Sequence, residues 1–379
     1  VSSSFRQPET SLLTPTVAEI HLGHLRHNVR LLRTQAEGAA LIGVVKANAY
    51  GHGAVRIAQA LQEADVHHFA VATVPEGITL REAGIADPIL VFAAPLPEFL
   101  PAYVHHNLEV TVASEAVAQA VIATARTTGP LRVHLKVDTG MSRIGVQPEE
   151  AAGVVRLLEQ APGITLSGLW THFATATEEH DAFAQQQMDR FTPLVQDFGD
   201  AFESIHVAHT GGLLNVPPSL GFNRVKARLG ISLYGLANPT AGLNLHPVMR
   251  LTSRVTQVKT VARGTTVSYG RTWRADHPTR IATISAGYAD GYPRLLSNRA
   301  EVGIGERRYP VAGIVCMDMF MVNLGDPEGP GATVQEGDTA VLFGEGGPST
   351  FEVAAWAETI TYEICCGIAA RVLRRYVEG

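Results

Sequence analysis

Cysteine is scarce: of 379 residues only Cys316 and the neighbours Cys365 and Cys366 carry a thiol. That count excludes a disulfide framework and supplies no Cys-x-x-Cys pair for a structural metal. Charge is sparse too, at 17% of residues with a net of -6, so the basic face that nucleic acid requires is missing. Although 46% of residues are hydrophobic, no apolar run approaches the roughly 20 residues of a membrane span. The segment from Val1 to Pro15 has neither the apolar core of a secretory signal nor an Arg-rich amphipathic pattern. These absences predict a cytoplasmic globular protein, with no nucleic-acid or membrane partner and with a loosely packed N-terminal arm. Fifteen histidines are scattered along the chain. His206 and His209 lie three apart, and a strand there would turn them to opposite faces, so no metal site is expected.

What is present is a rhythm. From about residue 17 to 240, short runs rich in β-branched residues alternate with amphipathic stretches, the pattern of repeated βα units around a parallel sheet. Eight candidate strands fall near Leu41 to Val45, Phe69 to Thr73, Ile89 to Phe92, Glu109 to Val112, Val133 to Val137, Leu166 to Trp170, Ile205 to Ala208 and Ile231 to Tyr234. Between them lie helical stretches such as Ala54 to Ala64, whose apolar face is Val55, Ile57, Ala58 and Leu61. Eight units point to a (β/α)8 barrel, while an open doubly wound sheet shares the local pattern. After about residue 245 strand-like alternation takes over, as in Leu251 to Val261, broken by Gly and Pro clusters. The expected organisation is an N-terminal arm (1–16), a barrel (17–242) and a mostly β C-terminal domain (243–379), with the boundary in the Gly-, Pro- and Asn-rich stretch from Asn238 to Pro247.

The first chemical feature is Ala39 to Gly53, AALIGVVKANAYGHG, in which an apolar strand delivers Lys46 at its C-terminal end. In a barrel that end is the active-site rim. A lysine at the edge of an apolar core has a depressed ammonium pKa, which suits covalent attachment of an aldehyde cofactor and later proton transfer. A snorkelling strand-end lysine is the plainer alternative.

The run VVKANAYGHG resembles the pyridoxal 5′-phosphate (PLP) lysine signature of the alanine racemase family, and further segments follow in that family's order. These are KVDTGMSRIG (136–145), THFATA (171–176), RLGISLYG (228–235), VSYGRTW (267–273), GYADGYPR (287–294), GIVCMDMFMV (313–322) and TITYEICCGIAARVLRRY (359–376). Together with AEIHLGHLRHN (18–28) they span nearly the whole chain. The resemblance implies a PLP-binding barrel, a C-terminal β domain, and a homodimer whose two active sites each use residues of both chains. It implies racemisation of a small amino acid, alanine foremost, supplying D-alanine for the cell wall.

Residue by residue, Lys46 matches the lysine that carries PLP and handles the α-proton on one face. Tyr269, in VSYGRTW, matches the base for the other face, supplied by the partner's β domain. Abstracting a proton from one face of a planar carbanion and returning one to the other is simplest with such a pair. A phenol has an ordinary pKa of about 10, so a phenolic base needs supporting neighbours; by resemblance His172 and Arg228 form that relay, with Arg228 also facing the pyridine nitrogen of PLP. Tyr50, Tyr362, Thr210, Gly230 and Ile231 match phosphate contacts, although Gly230 could equally be a plain turn residue. Arg143 and the backbone N–H of Met317, flanked by Cys316 and Asp318, match substrate-carboxylate contacts. Tyr288, Asp290 and Arg294 match an entrance corridor. Lys136 matches a lysine that is carbamylated in many members, with an ordinary salt bridge as the alternative.

Two positions depart from the pattern. His209 stands where an asparagine is usual before the phosphate donor Thr210, and Leu229 replaces a proline that would stiffen the turn. Three rival functions share parts of this pattern. A barrel-type PLP decarboxylase would lack the VSYGRTW tyrosine, and a PLP-binding protein without turnover would not need the β domain. Serine or broad-spectrum racemisation stays open, because excluding one methylene gains only about 1 to 3 kcal/mol.

Overall fold

The computed structural model describes residues 13–176, 182–215, 222, 224–237 and 242–378. They divide into two compact units, one of 25–246 and one made of 13–24 with 247–378. The first strand, β1 (Val17–His21), pairs antiparallel with one C-terminal strand and parallel with another. It therefore belongs to the β unit, not to the barrel that the sequence predicts from residue 17. Of the expected arm, residues 1–12 lie outside the described residues. Thr16 is buried and its hydroxyl donates to the Ser285 carbonyl at 2.7 Å.

The other unit is built on eight parallel strands: β2 (Ala40–Val44), β3 (Phe69–Val71), β4 (Ile89–Val91), β5 (Glu109–Val112), β6 (Leu131–Lys136), β7 (Ile164–Trp170), β8 (Ile205–His206) and β9 (Lys226–Leu229). They pair in sequence order from β2 to β8, β9 returns to β2, and a parallel bridge from Ile205 to Val225 brings the two ends together. The result is a nearly closed barrel with helices outside, which an open doubly wound sheet does not produce. Helix Ala54–Glu63 shows the packing logic, with Ile57, Ala58, Ala60 and Leu61 buried and Arg56 exposed.

The eighth strand differs from expectation. It is Lys226–Leu229, whereas residues 231–235 form consecutive turns, with Leu233 donating to the Gly230 carbonyl and Tyr234 to that of Ile231. Lys226 and Arg228 interrupt the hydrophobic signal of the true strand, and the apolar Ile231, Leu233 and Tyr234 are buried by turn packing instead. The barrel interior is correspondingly polar for a parallel sheet. Glu109, His134, Lys136, His206 and Arg228 are all at most 2% exposed.

In the β unit the 13-residue β10 (Met249–Val261) pairs with β1, with Thr279–Ile284 and with Thr339–Phe343. Alternation along Phe320–Gly325 is strict, Phe320, Val322 and Leu324 being buried, as a sheet covered on one face requires. The loops at Ser268–Thr272, Gly287–Asp290 and Ile314–Met319 rise from this scaffold and carry the remaining candidate residues.

Candidate active site

Lys46 sits where β2 ends, half-buried, with its ammonium 6.0 Å from the centre of the Phe92 ring. The four residues that follow, Ala47, Asn48, Ala49 and Tyr50, all take φ between 52° and 54°. A left-handed turn of L-residues costs about 1 to 2 kcal/mol per residue, so the surroundings must hold it. Glu76 Oε1 accepts from the Ala47 N–H at 2.7 Å, Gly51 and Gly53 donate to the Ala47 and Asn48 carbonyls, and the buried His52 ring lies 2.9 Å from the carbonyls of Ala49 and Tyr50. The turn swings the Tyr50 hydroxyl against the end of β9. A Cβ on Gly230 would come within 2.5 Å of that hydroxyl, so only glycine admits the approach.

Thr210 completes this corner, its Oγ1 lying 2.8 Å from Ser232 Oγ. Gly230 and Ile231 open the turn that begins here, and the first N–H groups of such a turn have no partner within it. Hydroxyls from Tyr50 and Thr210 beside the start of a turn at a barrel rim make a cradle suited to a phosphate monoester. The residues thus fit a phosphorylated aldehyde cofactor, with Lys46 as the amine.

Arg228 is buried, and both terminal nitrogens of its guanidinium engage acceptors. Its Nη1 donates to the His206 carbonyl at 2.6 Å and meets His206 Nδ1 at 2.9 Å. Its Nη2 donates to the carbonyls of Thr171 and Val207, and lies 3.3 Å from His172 Nδ1. The guanidinium also covers the Trp170 ring at 4.9 Å. Burial lowers its pKa to about 9, which leaves it cationic near neutrality. Burial and the neighbouring Arg228 push the His172 imidazole far below its ordinary value. His172 is therefore a neutral ring whose Nδ1 accepts from Arg228 and whose Nε2 carries a proton to offer.

Lys136 is 2% exposed; its ammonium donates to the Val137 carbonyl at 2.7 Å and lies 5.1 Å from the Trp170 ring centre. Burial, and then Arg228, bring its pKa down to about 7. Arg143 is exposed on the loop that Asp138 shapes by accepting from the N–H groups of Gly140 and Ser142. Of the two departures, Leu229 is fully buried in β9. His209 accepts the Gly211 N–H at Nδ1 and packs 4.8 Å from the His172 ring, and burial followed by Arg228 lowers its pKa to about 4.

In the β unit, Tyr269 is 73% exposed. Its loop is strained, with Ser268 and Arg271 at φ 67° and 54°, and is pinned by Ser268 Oγ donating to the Ile314 carbonyl at 2.7 Å. Met317 is exposed in the adjoining segment. Tyr288 and Ala289 donate their N–H groups to the Cys316 and Met317 carbonyls, and a Cβ on Gly287 would collide with both at 2.3 Å. Arg371 bridges Asp290 at 2.7 Å and Asp318 at 2.8 Å. Tyr269, Tyr288, Asp290 and Met317 thus share one cross-braced loop cluster. Arg294 is exposed, and Tyr362 is partly exposed on the short helix Thr361–Cys366, where burial raises its phenol pKa.

Several functional neighbours escaped sequence reasoning. Trp170, Ser232, Glu76 and Arg371 are ordinary residues whose partners lie far off in sequence; Ser232 and Arg371 fall inside quoted motifs, but nothing in those motifs marks them out. In the sequence His206 stands out only as a poor metal ligand, yet it is the direct partner of Arg228.

The family model "Alanine racemase, N-terminal domain" matches residues 20–238, and "Alanine racemase, C-terminal domain" matches 248–376. The chain is similar to the alanine racemase of Chlorobaculum tepidum, 42% identical over 378 residues and 95% of each chain. It is also similar to that of Halothermothrix orenii, 38% identical over 96% of this chain and 97% of the relative. Among solved structures, the alanine racemase of Clostridium difficile 630 superposes with a TM-score of 0.89 at 35% identity, over 96% of both chains. That of Bacillus anthracis with bound L-Ala-P superposes at 0.87 with 32% identity, over 96% of this chain and 95% of that one.

Proposed function

The chain belongs to the alanine racemase family, and from that premise we propose how its residues interconvert L- and D-alanine. The cofactor we assign is PLP, which when bound supplies an electron-accepting ring that acidifies the Cα–H of an attached amino acid. The single observation that carries this reading is the barrel rim, where Lys46, the Tyr50–Gly230 approach and the Arg228–His172 pair stand at adjoining strand ends.

In this reading Lys46 holds the cofactor and moves a proton at its Nζ on one face of the substrate. Tyr50, Thr210, Gly230, Ile231 and Tyr362 hold the phosphate. Arg228 faces the ring nitrogen and, being cationic, donates there without protonating it. That weakens the electron sink and favours return of the proton over side reactions. Tyr269 moves a proton at its hydroxyl on the opposite face, and comes from a second copy of the chain. His172 offers its Nε2–H to that phenol, stabilising the phenolate that a base must become. Arg143 and the backbone of Met317 take the substrate carboxylate, while Tyr288, Asp290 and Arg294 line the entrance.

Lys136, uncharged in part near neutrality, is a nucleophilic amine that can be carbamylated; the carbamate would give Arg143 an anionic partner. The homodimer is supported by the exposure of Tyr269, Tyr288, Met317 and Met319 in one unit, since a clustered apolar surface of this kind is usually covered. We assign the barrel (17–242, less β1) to cofactor binding and the C-terminal domain (243–379) to completion of the partner's site. Among the described residues no helix is long and apolar enough to cross a membrane, and we assign the enzyme to the cytoplasm, where it supplies D-alanine for peptidoglycan.

The test is racemisation of L-alanine, L-serine and L-lysine with and without PLP. The reading requires PLP-dependent conversion of L-alanine toward equal amounts of both enantiomers. Release of carbon dioxide, or no conversion by the PLP-loaded protein, overturns it.

A further inference from the structure

Behind Arg228 lies a hydrogen-bonded chain that runs down the barrel axis and that the reaction as described does not use. Arg228 Nη1 meets His206 Nδ1 at 2.9 Å, His206 Nε2 meets His134 Nδ1 at 2.9 Å, and His134 Nε2 meets Glu109 Oε2 at 2.9 Å. On its other side the same carboxylate oxygen lies 2.9 Å from His68 Nε2, an ion-pair contact without hydrogen-bond alignment, and Lys226 Nζ is 3.0 Å from His68 Nδ1. Arg132 Nε donates to Oε1 from the outer side. His134, His206 and Glu109 are at most 2% exposed, so water cannot substitute for a missing partner.

The chemistry of the ends sets the direction of the protons. A guanidinium can only donate, so His206 Nδ1 must be an acceptor and its proton must sit on Nε2. That proton is given to His134 Nδ1, which places the His134 proton on Nε2, facing a carboxylate that can only accept. The chain therefore has one allowed polarity, Arg228 to His206 to His134 to Glu109. Burial alone would raise the Glu109 pKa, but the His134 and His68 rings hold it well below the usual carboxylate range. His68, Glu109 and His134 also form a donor set of metal-binding type. A metal on the Nε2 atoms would move the protons to Nδ1, against Lys226 on one side and His206 N–H on the other.

One further residue shows that the path is built. Gly168 lies beneath the histidine pair, and a Cβ there would come within 2.2 Å of His134 Nδ1 and 2.7 Å of His206 Nε2. Only glycine lets that hydrogen bond form.

We propose that Glu109 is a positioning residue for racemisation: through His134 and His206 it fixes the direction of this chain, so that Arg228 meets only acceptors on its inner side and is held square to its ligand. The proposal rests on the reading that Arg228 faces the cofactor's ring nitrogen. Without the carboxylate the chain can invert, which turns His206 Nδ1–H against the guanidinium and displaces it.

The first test needs no turnover. Side-chain 15N spectra of histidine-labelled protein, with and without PLP, must show His134 and His206 as neutral Nε2–H tautomers. A cationic ring or an Nδ1–H tautomer at either position overturns the proposal, whether or not the variants below fold. Glu109→Met and, independently, Gly168→Ala should each mix the His206 tautomers and shift the bound-PLP absorption band. Each should lower kcat about tenfold, with KM for alanine within about twofold. Glu109→Gln, whose carbonyl can still accept from His134, should keep the tautomers and lose no more than about threefold in kcat. Glu203→Gln, which touches Arg132 but not the histidines, should change nothing. A folded Glu109→Met enzyme with unaltered tautomers and kcat overturns the proposal. A wild-type protein that never racemises alanine counts against the function reading alone, since the tautomers are read without it.

Discussion

The two units of this chain present their chemistry in opposite ways. On the barrel, Arg228 and Lys136 are buried and His172 half-buried among fixed partners, and their charge states follow from those surroundings. On the β unit, Tyr269 and Met317 stand more than half exposed on braced loops. The contrast teaches that holding a cofactor and moving the second proton are separate problems. In our reading the barrel meets most of the first, because eight strand ends converge on one rim, with Tyr362 of the β unit as the exception. The β unit supplies a base on a stiffened loop whose counterpart lies elsewhere, in our reading on a second copy.

The largest expected effect breaks the exposed half. Tyr269→Phe removes one hydroxyl from the surface and should lower kcat by roughly 10² to 10⁴, while the bound-PLP spectrum stays as in the wild type. A changed spectrum would mean that the tyrosine also shapes the cofactor site. Next comes the buried half. Arg228→Glu should raise the ratio of transamination to racemisation, because an acid in place of the guanidinium lets the ring nitrogen take a proton and strengthens the electron sink. An unchanged ratio would sink the role given to Arg228.

The smallest effect concerns stability. His209 in the fold has a pKa of about 4, below the ordinary histidine value of about 6.5. Its folded pKa is depressed, so from about pH 6.5 down to about 4 the unfolded chain binds more protons and stability falls as pH falls. His172 and His206 are pushed down in the same sense. Urea midpoints should therefore drop between pH 7 and pH 5, and His209→Asn should remove about 2 kcal/mol of that loss. A pH slope identical in the variant would show that His209 is not held neutral.

Much of this was legible in the sequence. Apolar runs marked seven of the eight barrel strands, and the Lys46 run showed where a strand hands a reactive amine to the rim. The eighth strand was misplaced because Lys226 and Arg228 point into a polar interior, which reverses the usual meaning of a charged residue in a strand. The left-handed turn after Lys46 was invisible, since Ala-Asn-Ala-Tyr contains no glycine to announce positive φ and is stabilised by Glu76 from the next βα unit. Glu109, His134, Gly168 and His206 sit on four different strands. Nothing local links them, and only barrel closure lines them up.

In our reading one active site draws Lys46 from one chain and Tyr269 from another, and mixing two inactive enzymes checks this. Lys46→Ala and Tyr269→Phe homodimers should each be nearly inactive. After unfolding and refolding together, mixed dimers should contain one doubly defective site and one intact site, and alanine racemisation should return. If mixed dimers form and activity does not return, no site is shared between chains, which contradicts the shared site proposed for Lys46 and Tyr269.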